Sequence, residues 1–411
     1  MLKKRLRRNI DDSFALTISS SIAMDEFHPL AAMDEFHHFP SYVSANLPSD
    51  IVAEIFSRLP TKSLARFNCV SKPIYALIHC QSFIKNQLKK AKERDLPNLI
   101  FKQDFKMICV EDKNWRRTRR LNPPFSILLD KAELSGTCNG LVCISDHSRN
   151  EDIFLYNPCT GQYNKLPIPK FDIPTIEHSC FTALGFGYHR KEDDYNVMRM
   201  IYLYDKPFKN IDSYRVEAQI YSLREDQWRK TVNVPFHISS RAAIWLENED
   251  TLVWKASCGF GQTMKVLIVS FDMSREAFEE VTRPPLLIQP EDCQIEISVL
   301  QGCFTVFHLW RNEAVEMWTM KKFGNEETWT RTMVLARPLI RDLSFMYLKP
   351  IWVKKNGDVV VEKSGNKLIM YERRKRRVRD FAIVGAPRYG FAATVFDGSL
   401  VSPFPAAYKS P

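Results

Sequence analysis

One small group of residues has the types and spacing for acid–base chemistry. His189 is followed closely by Asp193 and Asp194, and an imidazole beside carboxylates can exchange protons near neutral pH. The same stretch fits an exposed polar turn, and we favour that interpretation because no further catalytic group accompanies it. The sequence contains no Gly-x-Ser-x-Gly elbow, no Walker loop and no His-Glu-x-x-His motif. We therefore predict no catalytic site.

The glycine and cysteine patterns indicate neither a cofactor nor a metal. Gly185-Phe186-Gly187 and Gly259-Phe260-Gly261 lack the third glycine of a nucleotide-binding loop and lie among β-prone residues. The ten cysteines include no Cys-x-x-Cys pair, and the nine histidines have no zinc-ligand spacing to them. We expect reduced thiols, no cofactor, and a protein of the cytoplasm, the nucleus or both.

The formal net charge of +10 raises nucleic acid as a partner, but the charge pattern argues against it. Much of the excess lies in residues 3–8 and 373–379, whereas basic and acidic residues are mixed elsewhere. A nucleic-acid binder concentrates basic residues on one face and interleaves them with aromatics. Nucleic acid is therefore an unlikely partner. No apolar run approaches the roughly 20 residues needed to span a bilayer, so no membrane partner is expected.

The basic run 373–379 allows three interpretations. It could be a nuclear-import signal, a docking patch for acidic targets, or a charged turn that prevents neighbouring sheets from pairing edge to edge. The run falls within a predicted β-hairpin, and we favour the structural interpretation.

The composition of the chain is ordinary except in its first 44 residues. Of the 411 residues, 45% are hydrophobic and 26% are charged, as in ordinary globular proteins. Residues 1–44 stand apart as a basic, Ser-rich segment, and residues 23–28 recur as residues 32–37. We expect 1–44 to be a disordered extension rather than a transit peptide or a structural repeat.

Three short helices are predicted after this extension. Pro48 is suited to a helix start and Pro60 to its end, with Ser49 and Asp50 as capping residues. A second helix is expected over residues 63–69, and Ser71 begins a third. On the first helix the apolar residues fill one arc at 100° per residue: Ile51, Val52, Ile55, Phe56 and Leu59.

These helices have more apolar positions than they can bury among themselves. About 40 residues rarely form a stable core without a metal, a disulfide or a partner. Each fully buried Leu or Ile contributes about 1.5–3 kcal/mol. The surplus predicts a protein–protein surface.

The helical segment resembles the plant F-box. The similarity lies in Leu47-Pro48, Ile51, Glu54-Ile55, Arg58-Leu59-Pro60, Lys62-Ser63-Leu64, Arg66-Phe67 and Cys69-Val70-Ser71-Lys72. One departure is Pro73-Ile74-Tyr75, where the family often has Trp. The resemblance implies docking on a Skp-family adaptor, and through it on a cullin and a RING subunit. The implied adaptor-binding residues are Leu47, Pro48, Ile51, Ile55, Leu59, Pro60, Leu64, Val70, Ser71 and Lys72.

The chain beyond residue 97 is predicted to be all-β. A hairpin pattern, in which an apolar strand and a polar turn precede an aromatic or apolar residue, occurs six times. Its central residues are Trp115, Tyr163, Trp228, Phe278, Trp329 and Val378. A period near 50 residues with one hairpin per copy is typical of propeller blades. We predict a kelch-like propeller of about six blades, with strands near residues 99–110 and 389–401 sharing one blade. The chain has only 14 glycines and no Gly-Gly pair, which is unusual for a kelch propeller. A two-sheet sandwich is therefore kept as an alternative.

The β region also resembles the plant F-box-associated domain. The similarity lies in residues 134–141, Tyr156-Asn157-Pro158 with Gly161, residues 185–188 before Asp193-Asp194-Tyr195, and Ser270-Phe271-Asp272. We expect Gly136, Asn139 and Gly140 to supply tight turns and residues 157–161 to close a hairpin. These roles are structural.

Together these patterns predict an α+β multidomain protein: extension 1–44, a three-helix F-box over 45–90, and a β-domain over 97–405. The resemblance implies a non-catalytic substrate-recognition subunit of an SCF-type ubiquitin ligase with an unknown protein substrate. One alternative is an F-box scaffold that binds the adaptor without promoting degradation. Another is a propeller enzyme acting on sugars or nucleotides, which the missing catalytic motifs disfavour.

Overall fold

The computed structural model describes residues 48–93, 97–110, 115, 118–123, 125, 132–146, 152–168, 179–204, 214–231, 233–258, 265–285, 293–310, 314–336 and 347–405. The chain divides into two compact units, Met1–Glu93 and Arg94–Pro411. The proposed extension 1–44 lies outside the described residues, and the boundaries 45–90 and 97–405 stay predictions.

Residues 48–93, the described part of the first unit, form four helices, one more than the sequence predicted. They are α1 (Ser49–Ser57), α2 (Thr61–Phe67), α3 (Lys72–His79) and α4 (Gln81–Lys92). The additional boundary is Cys80, whose extended backbone (φ −69°, ψ 130°) separates α3 from α4. Pro48 occupies the N-cap position of α1, and its carbonyl accepts from the amides of Ile51 and Val52 at 3.1 Å. No side chain caps α1, in contrast to the expected role of Ser49 and Asp50.

The helices pack through one apolar stripe from each. Phe56 and Phe67 approach to 5.5 Å between ring centroids. A buried hydrogen bond of 2.9 Å from Gln87 Nε2 to Thr61 Oγ1 joins α4 to α2. The buried apolar side chains are Val52, Phe56, Leu64, Ile74, Leu77, Ile78, Phe83, Ile84, Leu88 and Ala91.

The described residues of the second unit form antiparallel strands in six sheets. Strands β1–β9 are Asn98–Gln103, Lys106–Val110, Thr118–Leu121, Ala132–Cys138, Leu141–Asp146, Ile153–Tyr156, Tyr163–Lys165, Ser179–His189 and Asp194–Tyr204. Strands β10–β17 are Tyr214–Ser222, Gln227–Lys230, His237–Ile238, Ile244–Leu246, Thr251–Cys258, Lys265–Asp272, Ala277–Glu280 and Cys293–Leu300. Strands β18–β25 are Cys303–Trp310, Ala314–Met320, Trp329–Ala336, Leu348–Val353, Val359–Lys363, Lys367–Glu372, Arg377–Asp380 and Ala392–Phe396.

The sheets are the six blades of a closed propeller. Their orders are β25-β1-β2-β3, β4-β5-β6-β7, β8-β9-β10-β11, β12-β14-β15-β16 with β13 also on β14, β17-β18-β19-β20 and β21-β22-β23-β24. The inner strands β25, β4, β8, β13, β17 and β21 adjoin in this order, and β21 returns to β25. The six-bladed prediction is confirmed, and the sandwich alternative is wrong because the inner strands close a ring.

Every predicted hairpin forms the outer half of a blade. The six pairs are β2–β3, β6–β7, β10–β11, β15–β16, β19–β20 and β23–β24. Five of the six central residues lie in an outer strand, whereas Trp115 lies between β2 and β3. Trp115 is buried, and its indole donates to the carbonyl of Pro97 at 2.8 Å.

The first and last strands of the propeller lie in the same blade, as the sequence predicted. β25 pairs with β1 over Asn98↔Phe396 to Lys102↔Ala392. It is also held by both neighbouring blades, because Glu362 Oε2 accepts from the amide of Ala393 at 3.0 Å and Thr137 Oγ1 donates to the carbonyl of Val395 at 3.1 Å. This arrangement removes the edges that an open sheet would expose.

The second blade holds the segment that follows β25. Asn157 Nδ2 donates to the carbonyls of Ser399 and Val401 at 3.0 and 2.8 Å. Its Oδ1 accepts from the amides of Cys159 and Thr160, which closes the β6–β7 turn. Ser399 Oγ donates to the carbonyl of Asn139 at 2.7 Å.

Glycine is required beside this contact. Gly140 has φ +86°, and a Cβ there would lie 2.6 Å from the carbonyl of Asp397. The chain past β25 therefore approaches the Asn139–Gly140 turn too closely for a side chain. The motif at residues 134–141 therefore positions the segment that follows β25. The sequence predicted only its role in forming a turn.

The Gly185-Phe186-Gly187 motif also serves inter-blade packing. Both glycines lie in β8, and a Cβ on Gly185 would stand 2.5 Å from Trp254 Cζ2. A Cβ on Gly187 would stand 2.6 Å from Trp245 Cδ1. The backbone of the third blade thus packs directly on two tryptophans of the fourth.

Candidate functional site

Helix α1 exposes an apolar stripe on one side and packs on the other. Val52 and Phe56 are 8% and 2% exposed, whereas Ile51 and Ile55 are 43% and 40% exposed. Each pair is spaced four residues apart, so its members lie one above the other on the helix. The single predicted arc is therefore divided into a packed edge and an exposed edge. We call Pro48, Ile51, Ile55 and Leu59 the α1 surface.

The members of the α1 surface differ in accessibility. Pro48 is exposed and Leu59 is half-buried. Beyond this surface, Pro60 and Lys72 are exposed and Val70 is half-buried. Leu47 lies outside the described residues. Adaptor contact by this set stays a prediction.

Two predicted adaptor-binding residues have structural roles. Leu64 is 0% exposed, so its side chain packs inside the helical unit and offers no surface to a partner. Its place in the apolar pattern reflects helix packing. The Ser71 hydroxyl accepts from the Ile74 amide at 3.4 Å and caps α3, as the sequence predicted.

A further exposed aromatic lies on α3. Tyr75 is 46% exposed and stacks on His79 at 3.9 Å between ring centroids. Its neighbour Ile74 is 1% exposed and fills the interior. Sequence reasoning noted Tyr75 only as part of the departure from the family pattern. The sequence feature that could have indicated its exposure is an aromatic residue directly beside the core position Ile74.

A charged cluster lies beside the α1 surface. The Glu54 carboxylate accepts from Arg58 Nε at 2.9 Å and also pairs with Lys90 Nζ. Hydrogen bonds from Lys90 and Arg58 hold the pKa of Glu54 below its usual value. Lys90 Nζ also donates to Ser57 Oγ at 2.7 Å. These bonds join α1 to α4. They hold the carboxylate of Glu54, a residue that lies between Ile51 and Ile55 in the sequence.

The candidate acid–base residues have separate structural roles. His189 is 4% exposed, which is at odds with the expected exposed turn. Its Nε2 lies 3.0 Å from Ser274 Oγ of the next blade, and its Nδ1 lies 3.3 Å from Glu192. Asp194 is occupied elsewhere, because it accepts from Ser222 Oγ at 2.6 Å and the Arg224 amide at 2.8 Å.

The cavity beside His189 is small. Its volume is about 20 Å³, enough for a single water molecule, and its lining includes Glu192, Arg229 and Glu276. Arg229 and Glu276 form an ion pair with each other, which lowers the pKa of the carboxyl. The charged groups at this junction of the third and fourth blades therefore bind one another.

The described part of the chain offers neither a metal-binding cluster nor a membrane-spanning helix. No group of three or more His, Cys, Asp or Glu residues there could hold a metal ion. No helix within the same residues is long and apolar enough to cross a bilayer. The described cysteines are free thiols, and burial raises the pKa of Cys143 to about 12.

Comparison with protein families matches both units. The F-box domain model matches residues 45–86, and the F-box associated beta propeller domain model matches residues 114–398. Among curated relatives, the F-box protein CPR1 of Arabidopsis thaliana is 27% identical over 372 residues, covering 87% of this chain and 89% of that protein. An F-box/kelch-repeat protein of Arabidopsis thaliana is 28% identical over 336 residues, covering 77% and 85%.

Solved structures give weaker similarities. An oligogalacturonate lyase in complex with manganese has a TM-score of 0.42 at 9% identity, covering 68% of this chain and 71% of that one. The six-bladed lectin of Aleuria aurantia has a TM-score of 0.37 at 8% identity, covering 66% and 84%. Similarities of this size carry no argument about function. The family models, in contrast, match both units. The chain belongs to the F-box proteins that carry an F-box associated β-propeller domain.

Proposed function

We propose that this protein is the substrate-recognition subunit of an SCF-type ubiquitin ligase. The F-box docks on a Skp-family adaptor, which links it to a cullin and a RING subunit. The propeller holds the protein target. The observation that carries the proposal is the α1 surface, an exposed apolar stripe on a domain of the F-box family.

The energetics of the α1 surface favour a bound partner. Ile51 and Ile55 are each about two-fifths exposed, and burying an isoleucine contributes about 1.5–3 kcal/mol when complete. Pro48 and Leu59 extend the stripe beyond both ends of this pair. The Glu54–Arg58–Lys90 cluster supplies the polar rim that protein interfaces commonly have.

The role requires no catalytic group in this chain. Ubiquitin transfer would be performed by the other subunits, and the receptor would raise the effective concentration of a target lysine near the loaded carrier. We place this activity in the cytoplasm, the nucleus or both. Beside His189, which bonds to Ser274, the charged side chains of Arg229 and Glu276 pair with each other. This arrangement supports a binding protein.

Charge substitution on the α1 surface tests adaptor docking. We expect Ile51→Glu combined with Ile55→Glu to weaken binding of a purified Skp-family adaptor at least about tenfold. Burying the exposed two-fifths of each isoleucine contributes about 0.6–1.2 kcal/mol, and the variant loses this and must also desolvate two carboxylates. Calorimetry or copurification measures this. Since both side chains are exposed, the variant should keep its helical circular dichroism.

The matched control places two glutamates elsewhere on the same helical unit. Ala76→Glu with Asn86→Glu alters exposed positions of α3 and α4, and we expect adaptor affinity within about threefold of the original protein. Unchanged adaptor binding by the Ile51/Ile55 variant would contradict the docking assignment.

The lifetime of the bound target separates a degradation receptor from a scaffold. Proximity labelling under proteasome inhibition should identify the target. Its half-life should then lengthen when the Ile51/Ile55 variant replaces the original protein. A target that stays bound with the same half-life would favour the F-box scaffold.

A further inference from the structure

Two neighbouring turns of the sixth blade form a strongly basic surface. One is the turn 354–358 between β21 and β22, and the other is the turn 373–376 between β23 and β24. The backbone amide of Arg373 donates to Asp358 Oδ1 at 3.0 Å. Gly357 lets the turns approach, because a Cβ there would lie 2.9 Å from Arg373 Cδ. The two turns therefore present their side chains together.

We call this surface, with the adjoining strand β24, the blade-six patch. Asp358, Glu372 and Asp380 are the carboxylates next to its basic residues, and Asp380 pairs with Lys367 at 3.2 Å. The basic members are Lys354, Lys355, Arg373, Arg374, Lys375, Arg376, Arg377 and Arg379.

Part of the blade-six patch is ordered by Glu372. Its carboxylate accepts from Arg377 Nε at 2.6 Å and Arg379 Nε at 2.9 Å, and Lys375 Nζ lies 3.4 Å away. The Arg377 hydrogen bond is the main reason that the pKa of Glu372 falls to about 2. Arg379 is also fixed by the Phe381 ring, 5.7 Å from the guanidinium carbon to the centroid. Cations held in this way lose little freedom when a partner binds.

The tip of the patch carries unneutralised charge. Arg374 and Arg376 are exposed, and neither has a carboxylate partner among the residues that the structure describes. Arg376 also adopts φ +48°, a left-handed conformation that glycine or asparagine would tolerate better. The residues with positive φ in the matching turns of the third and fourth blades are acidic, Asp226 and Glu276. The arginine is thus not required by the turn.

We propose that the blade-six patch binds an acidic segment of the target protein, a run of closely spaced Asp and Glu side chains. The inference rests on the proposed receptor function and names the chemistry of the target. Arginine guanidinium groups bind carboxylates through two parallel hydrogen bonds, and five of the eight basic residues are arginine. A basic surface with several separate cations suits an extended acidic segment.

Two other partners fit the patch less well. Single-stranded nucleic acid is held by aromatic stacking as well as by charge. The aromatic ring beside the patch, Phe381, is half-buried and already lies against the cations of Lys354 and Arg379. An import receptor would require the run 373–379 as an accessible extended segment. Here Arg377–Asp380 is paired with β23 from Glu372↔Arg377 to Ile369↔Asp380. The run is therefore part of a folded hairpin.

Fluorescence anisotropy with a labelled peptide of eight glutamates tests the proposal on the full-length chain. We expect saturable binding that weakens as salt is raised from about 50 to 300 mM, because the contacts are ionic. Arg374→Glu with Arg376→Glu should lower the affinity about tenfold or more, since two contacts become repulsive. Arg374→Lys with Arg376→Lys keeps the charge but not the two parallel hydrogen bonds, so its affinity should lie between those of the original protein and the glutamate variant.

A matched control reverses two charges in the equivalent turn of the fifth blade. Lys321 and Lys322 are exposed and follow β19, and we expect Lys321→Glu with Lys322→Glu to change peptide affinity less than about twofold. An equal loss in this control would overturn the proposal by showing a response to net charge alone. So would undetectable binding by the original protein, or tighter binding of a 16-nucleotide single-stranded DNA than of the peptide.

Adaptor binding by the same variants separates this proposal from the receptor function. The Arg374/Arg376 variant should bind the Skp-family adaptor with unchanged affinity while losing the peptide. The Ile51/Ile55 variant should show the reverse. A chain that binds the peptide but no adaptor would leave the patch assigned and remove the ligase role.

Discussion

His308 is an ionisable side chain enclosed within the fifth blade. It lies in β18 between Ile295 of β17 and Glu316 of β19, and it is 1% exposed. Burial is the main reason that its pKa falls from 6.5 to about 4; Arg283 lowers it further, and Glu316 opposes the shift. The blade therefore holds the neutral imidazole.

This burial predicts a loss of stability in mild acid. The unfolded chain binds a proton near pH 6.5 and the folded chain near pH 4, so the unfolded state holds more protons between these values. Stability therefore falls as pH falls from 7 to 5, by about 1–2 kcal/mol from this residue. His308→Gln should remove that component in urea unfolding. An identical pH dependence in both proteins would contradict the assignment.

At the residue scale, sequence periodicity located the apolar positions but not their direction. It placed Ile51, Val52, Ile55 and Phe56 on one arc, and the structure exposes two and buries two. The division depends on where α2–α4 pack against α1, which the pattern of a single helix does not contain. Leu64 was assigned to the adaptor by the resemblance to the F-box, which likewise gives no direction for the side chain. Its burial follows from the packing of all four helices.

At the element scale, β8 is shaped by what packs on it. Gly185 faces Leu252 and Trp254, and a Cβ at this position would lie 2.7 Å from Leu252 Cδ1. Trp254 is 0% exposed, and its indole donates to the carbonyl of Leu184 at 3.1 Å. The strand and the tryptophan are therefore joined by both packing and a hydrogen bond.

We expect Gly185→Ala to destabilise the propeller by about 1–3 kcal/mol, the usual effect of overpacking a core. All eight tryptophans follow residue 97, so tryptophan fluorescence during urea unfolding reports on the propeller. In a Trp254→Phe background the clashing ring atoms are gone, and the same substitution should cost less by about 1 kcal/mol or more. Equal costs in both backgrounds would rule out this contact as the cause.

The hairpins were the elements that sequence predicted best. Each combines an apolar strand, a polar turn and a short second strand, all of them local signals. Asn157 directly follows β6, and Ser222 and Asp272 are the last residues of β10 and β15. The side chain of each accepts from a backbone amide of the turn that follows, which makes these turns regular. The inner strands were harder to place, since their neighbours lie in other blades.

At the scale of the whole molecule, β25 closes the ring. It pairs with β1 and is bonded to the sixth blade through Glu362 and to the second through Thr137. Sequence predicted the shared blade from the position of the terminal strands. It did not predict the contacts of Ser399 with Asn139 and Asn157, because these residues are far apart in the chain and only the closed ring brings them together.

Deleting residues 392–411 should therefore abolish cooperative unfolding of the propeller. β1 would lose its inner partner and expose a strand edge, which favours aggregation. Tryptophan-monitored urea unfolding and size-exclusion chromatography measure both effects. Ser399→Ala is the control: it removes the hydroxyl contact with Asn139 and should cost only about 1–2 kcal/mol. A cooperative, monomeric deletion variant would show that the ring does not need its last strand.

The shared blade also sets an order of events during synthesis. The ribosome makes the helical unit first, whereas the first blade stays incomplete until β25, the last strand, has emerged. A message cut short anywhere in the propeller would still encode all four helices. Under the proposed function, such a fragment would occupy an adaptor while carrying no finished domain for a target, and it would compete with the intact protein.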